Sequence, residues 1–156
     1  MNKCVIFGSA EITDYSNVSV NKDDFIIAAD GGLYHTIVLG LKPDILLGDF
    51  DSLTNELPSD CEIITAPVEK DDTDMMLAVK TALQTGYKDI TIYGGTGGRL
   101  DHTFANIQTL EYILSHGAEG KIVGSRDIIY IQSIGKKEYK SIADSYFSIF
   151  SLTESV

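Results

Sequence analysis

The sequence predicts an α/β fold, an open and mostly parallel sheet with helices on both faces, followed by the start of a truncated all-β domain. Three observations carry this. Short, β-branched apolar runs bounded by Gly, Pro or Asp recur up to residue 131; stretches of helical period separate them; and beyond Lys136 the helical period stops. Alternating strand and helix builds βαβ units, and these lay down a parallel sheet.

Seven runs read as buried parallel strands: CVIF (4–7), FIIAA (25–29), DILL (44–47), EIIT (62–65), DITIY (89–93), KIVG (121–124) and IIYI (128–131). A first short helix is expected in GGLYHTIVLG, from Gly31 to Gly40. In DTDMMLAVKTALQTG, apolar Met75, Met76, Val79, Ala82 and Leu83 recur at helical spacing, with Asp72 as the cap and Gly86 as the stop. HTFANIQTLEYILSHG repeats the pattern with Phe104, Ile107, Leu110, Ile113 and Leu114, and closes at Gly117. In the tail, Tyr146, Phe147, Ile149, Phe150 and Leu152 look like sheet residues. The expected division is a catalytic α/β domain over 1–133 and the beginning of a mostly missing β domain over 134–156. An antiparallel edge added to the first sheet is the alternative for this tail.

A chain of 156 residues that is 44% apolar can bury one good core. No apolar run approaches the roughly 20 residues a bilayer span needs, and the start lacks a cleavable signal pattern, so a cytoplasmic location is expected with no membrane partner. Cys4 and Cys61 have neither metal-ligand spacing nor a disulfide-rich context and read as reduced packing residues. The net charge of −11 argues against nucleic acid as a partner. Its distribution says more. Ten acids and one base, Lys70, lie from Asp44 to Asp74, and no acid lies between Asp74 and Asp89.

In open α/β sheets ligands bind beyond the carboxyl ends of the strands, and four acidic or glycine-rich clusters fall there. They are Asp30-Gly31-Gly32, then Asp49 and Asp51 in LLGDFDSL, then Lys70-Asp71-Asp72-Thr73-Asp74, then Gly94-Gly95-Thr96-Gly97-Gly98-Arg99-Leu100-Asp101. On an extended chain residues two apart share a face, so the Asp49 and Asp51 carboxylates converge about 7 Å apart and favour a cation between them. Acids at the start of a helix also serve as caps, but one suffices. Five or six carboxylates around one crevice repel one another without a divalent ion, and hard oxygen ligands without His or Cys point to Mg²⁺. The glycine cluster joins a strand to a helix start, where free N–H groups and the helix dipole favour anions and Arg99 offers a fork of donors. It matches neither a Walker A loop nor a dinucleotide fingerprint, and a plain glycine-rich turn is the alternative. A carboxylate nest beside a phosphate-binding loop is the layout of phosphoryl transfer. His35 and His116 read as exposed helix residues; His102 adjoins the glycine loop.

ADGGLYHTIVLGLKPDILLGDFDSL, EKDDTDMMLAVKTAL and YGGTGGRLDHTFANI resemble, in order and at fitting spacing, three signature blocks of the thiamin pyrophosphokinase family. The resemblance spans roughly residues 3–131 and implies transfer of a pyrophosphoryl group from ATP to the hydroxyl of thiamin, giving thiamin diphosphate and AMP. It implies Asp49, Asp51 and Asp74 as Mg²⁺ ligands with Asp30 nearby. Lys70, Asp71 and Thr73 would line the site, and Arg99, Asp101 and the Gly94 to Gly98 loop, Thr96 included, would grip ATP. The catalytic base would be Asp71 or Asp74. It also implies a homodimer whose C-terminal β domain helps enclose thiamin. This chain ends about where that domain begins, so it is expected to keep the ATP and Mg²⁺ half-site and to bind thiamin poorly. Rival expectations are a sister pyrophosphokinase using a pterin alcohol, an aspartate-nucleophile phosphatase with Asp49 as nucleophile, and a non-catalytic nucleotide-binding module.

Overall fold

The structure is a computed structural model and describes residues 2–49, 61–65 and 72–152. The element order is β1 (Cys4–Phe7), a 3-10 turn (Tyr15–Asn17), β2 (Phe25–Ala29), α1 (Gly32–Val38), β3 (Ile45–Gly48), β4 (Glu62–Thr65), α2 (Asp74–Gln84), β5 (Asp89–Tyr93), α3 (Leu100–Ser115), β6 (Glu119–Val123) and β7 (Ile128–Tyr130). The strands form one seven-stranded sheet in the order β4-β3-β2-β1-β5-β6-β7. β1 to β6 are parallel and β7 pairs antiparallel with β6. The α/β class with helices on both faces is as the sequence indicates.

Central strands read as continuous apolar runs because both faces are covered. Cys4, Ile6, Ile27, Ala29, Ile90 and Ile92 face α2 and α3, where Val79, Ala82, Leu110 and Ile113 complete the larger core. On the other face Val5, Phe7, Ile26 and Tyr93 are covered by Ile12, Val18, Val20, Leu39 and Leu41, and Ala28 and Leu46 by Leu33 of α1. Period-2 alternation therefore sorts each strand between two cores. Phe7 and Tyr93 stack with ring centroids 5.5 Å apart on neighbouring strands.

Several sequence expectations change. β7 is antiparallel and largely exposed, because only a short turn separates it from β6 and a parallel return needs a crossover. The EIIT strand lies on the sheet edge and is mostly exposed instead of buried. α2 is capped by Thr73, whose Oγ1 accepts from the Met76 N–H at 3.1 Å, and not by Asp72, which pairs with Lys80. α3 starts at Leu100, and Phe104, expected on its inner face, is 63% exposed. YFSIF forms no strand: residues 131–152 contain no helix or strand, and Tyr146, Phe147 and Phe150 stand in solvent. A lone strand without a pairing partner does not hold. Among the described residues no helix is long and apolar enough to cross a membrane.

Candidate active site

Because β1 to β6 run parallel, their carboxyl ends lie on one edge of the sheet. The winding reverses at β1: β2, β3 and β4 lie to one side of it, β5 and β6 to the other. At such a reversal successive loops diverge and leave a crevice that receives ligands. The loops leaving β1 and β5 meet there. The Gly8 N–H donates to Tyr93 O at 2.8 Å and the Ala10 N–H to Gly94 O at 3.0 Å.

Asp30 ends β2 with φ +50, an uncommon conformation for a residue other than glycine, and Asp tolerates it better than most. Its N–H donates to Leu47 O at 2.7 Å, which ties it to β3 just before Asp49. The Ser9 hydroxyl donates to Asp30 Oδ2 at 3.2 Å, which ties the loop after β1 to the end of β2. Asp74 occupies the first turn of α2, where the helix dipole favours a carboxylate. Its neighbour Met75 packs under Gly8: a Cβ added there would stand 2.5 Å from Met75 Cε. The start of α2 is thus held at the end of β1. Of the expected acids, the structure brings Asp30, Asp49 and Asp74 to the same sheet edge. Asp51, Lys70 and Asp71 lie outside the described residues. Among the described residues no three of His, Cys, Asp or Glu gather closely enough to hold a metal ion.

The glycine loop divides into an anchored half and a presented half. Gly94 and Gly95 are buried, whereas Gly97, Gly98 and Arg99 are exposed and Thr96 is partly so. Gly94 has φ +64, and a Cβ there would meet Gly8 O at 2.4 Å, so both conformation and space demand glycine. Gly97 and Gly98 have φ +95 and +69 with open space around them, which leaves their backbone free to meet a ligand. Arg99 precedes α3 without a side-chain cap, so the first N–H groups of that helix are not taken up by it. Its guanidinium grips Asp101 through both Nε and Nη2. This pairing, with the His102 N–H, holds the Asp101 carboxyl below its ordinary value. The pair is exposed, so Arg99 can exchange partners at small cost.

Sequence reasoning missed four supports of this sheet edge. Asn106, buried on α3, donates from Nδ2 to Gly95 O at 2.8 Å. Ser9 had a usable signal, lying just past the first apolar run. The loop after β6 packs on Thr96, since a Cβ at Gly124 would stand 2.6 Å from Thr96 Oγ1 and 2.0 Å from Asp127 Oδ1. His35 is not exposed as expected but 4% exposed; no helical period could reveal that the β1 loop folds over it. His116 and His102 are exposed. Asn106→Ala is expected to cost about 1–3 kcal/mol, because it leaves a buried carbonyl without its donor. Urea denaturation checks this, and a loss below about 0.5 kcal/mol contradicts it.

Residues 17–122 match the family described as thiamin pyrophosphokinase, catalytic domain. The thiamine pyrophosphokinase of Bacillus subtilis is 30% identical over 138 residues, covering 83% of this chain and 64% of the relative. Thiamin pyrophosphokinase 1 of Caenorhabditis elegans is 26% identical over 121 residues, covering 70% of this chain and 49% of the relative. The crystal structure of a thiamin pyrophosphokinase family protein from Enterococcus faecalis superposes with a TM-score of 0.72 at 30% identity, covering 83% of this chain and 64% of that one. The chain thus spans less than two thirds of the length of these relatives. With more than half of its residues matched, and matched on the same fold, the chain belongs to the thiamin pyrophosphokinase family.

Proposed function

We propose that this chain carries the nucleotide-binding and catalytic half of an ATP-dependent thiamin diphosphokinase. The observation that carries the reading is the family match over residues 17–122, which includes the acidic strand ends and the glycine loop. In the reaction the hydroxyethyl oxygen of thiamin attacks the β-phosphorus of ATP. The bond from that phosphorus to the oxygen bridging to the α-phosphate breaks, and AMP leaves with the electron pair. The hydroxyl proton passes to a carboxylate, Asp71 or Asp74, acting as general base.

The exposed half of the glycine loop, with Thr96 and Arg99, receives the triphosphate through backbone N–H groups and a guanidinium fork. Asp101 holds Arg99 until phosphate replaces it, and Lys70 and Thr73 line the site. The all-oxygen donor set suits a hard divalent ion, and Asp49, Asp51 and Asp74, with Asp30 nearby, would hold Mg²⁺. Bound there, Mg²⁺ would neutralise charge on the phosphates. The protein's own contribution is to position acceptor and donor and to exclude water.

In the same reading residues 1–133 form the catalytic unit, and two chains associate as a homodimer. A second reading is nucleotide binding without turnover. Chromatography of the chain incubated with ATP, Mg²⁺ and thiamin separates the two. Equimolar AMP and thiamin diphosphate are expected for the first, and ATP binding with neither product supports the second. AMP release with a pterin alcohol in place of thiamin overturns the choice of acceptor.

A further inference from the structure

His35 lies on α1, buried to 4% exposure, and belongs to none of the residues assigned above to nucleotide, metal or proton transfer. Both of its ring nitrogens are engaged. Nε2 lies 2.9 Å from Ala10 O and Nδ1 lies 2.7 Å from the Tyr15 hydroxyl. A carbonyl only accepts, so Nε2 carries the hydrogen and Nδ1 accepts from Tyr15. Burial lowers the imidazole pKa, in keeping with a neutral ring fixed in one tautomer.

The carbonyl that His35 grips belongs to the residue whose N–H reaches the glycine loop. The Ala10 N–H donates to Gly94 O at 3.0 Å, and Ala10 O itself stands 3.0 Å from where a Cβ at Gly94 would be. One residue earlier, Ser9 donates to Asp30. A continuous chain of hydrogen bonds therefore runs from Tyr15 through His35 and Ala10 to Gly94, with Asp30 attached at Ser9. We infer that His35 is a positioning residue: by holding the loop after β1, it sets the glycine loop and Asp30 in register for a nucleoside triphosphate. This rests on the reading of the glycine loop as the nucleotide site.

Three variants separate positioning from bulk stability. His35→Gln places an amide N–H where Nε2 stands and restores the donor to Ala10 O. His35→Asn reaches only the Nδ1 position and restores the partner of Tyr15 instead. His35→Ala restores neither. Val79→Ala, in the core of α2, serves as a control for loss of stability alone. Isothermal titration with ATP and Mg²⁺ is expected to give near-native affinity for His35→Gln and Val79→Ala, and affinity weakened about tenfold for His35→Asn and His35→Ala, the loss of one hydrogen bond's worth of order.

Amide hydrogen exchange in the absence of nucleotide gives the second readout. Exchange at Ala10, whose N–H is bonded to Gly94, is expected to accelerate in His35→Ala and His35→Asn and to stay slow in His35→Gln. Unchanged Ala10 exchange in His35→Ala, or weakening by Val79→Ala as large as by His35→Ala, overturns the inference. A native chain that does not bind ATP while its exchange pattern follows His35 as described overturns the nucleotide reading of the loop and leaves the strut standing.

Discussion

Asp49→Asn is expected to weaken Mg²⁺-dependent ATP binding by at least about 100-fold and to lower product formation to match. The substitution keeps size and shape but replaces a charged oxygen by a neutral amide, which a hard divalent ion holds poorly. Asp49 follows Gly48 at the carboxyl end of β3, one strand from Asp30, on the sheet edge that also carries the glycine loop. If the acids of this edge share an ion, losing one charge there is felt by all of them. A charge-matched control is Asp89→Asn: it removes the same charge at the amino end of β5, an exposed position on the opposite edge of the sheet. Titration of both variants with ATP, with and without Mg²⁺, checks the expectation. Native Mg²⁺ dependence in Asp49→Asn removes Asp49 from the metal site, and equal losses in the two variants show general charge in place of a site.

The parallel sheet was legible because each central strand is buried on both faces and so is spelled as an unbroken apolar run, as CVIF and FIIAA are. That spelling says nothing about lateral position, so EIIT looked the same and turned out to lie at an edge. Helix caps were blurred where Asp72, Thr73 and Asp74 are all capping types; only the geometry shows that the Thr73 hydroxyl takes the Met76 N–H. The glycine loop was legible from GGTGG between a strand and a helix, because only backbone freedom explains four glycines in five residues. What lies beneath it was not. Asn106 and His35 are polar residues within helices, where the bland expectation is a solvated face, and each instead bonds a loop that no helical period reveals: for Asn106 the loop leading into its own helix, for His35 the loop after β1. The Asp49 and Asp51 pairing falls half outside the described residues.

Gly32→Ala is expected to destabilise the fold by about 3 kcal/mol or more. Nothing in the local conformation forbids alanine. Gly32 opens α1 and has no positive φ, so helix propensity alone favours alanine by up to about 1 kcal/mol. The obstacle is space: the added Cβ would stand 1.9 Å from Phe7 O and 2.5 Å from Phe7 C. Those atoms are backbone of β1, a central strand bonded on both sides, and cannot swing away as a side-chain tip would. The helix must lift off the sheet, which uncovers Leu33 over Ala28 and Leu46 and draws His35 away from Ala10 O. Gly40→Ala provides the contrast. There φ is +63 with nothing within 4 Å, so the cost is conformational alone, about 1–2 kcal/mol. At about 2–4 °C per kcal/mol for a chain of this size, Gly32→Ala should lower the melting temperature by at least about 6 °C, and Gly40→Ala by less. Equal melting of the two variants would mean that α1 rides loosely on β1, and the close approach at Phe7 would then not be what fixes Asp30 and His35 in place.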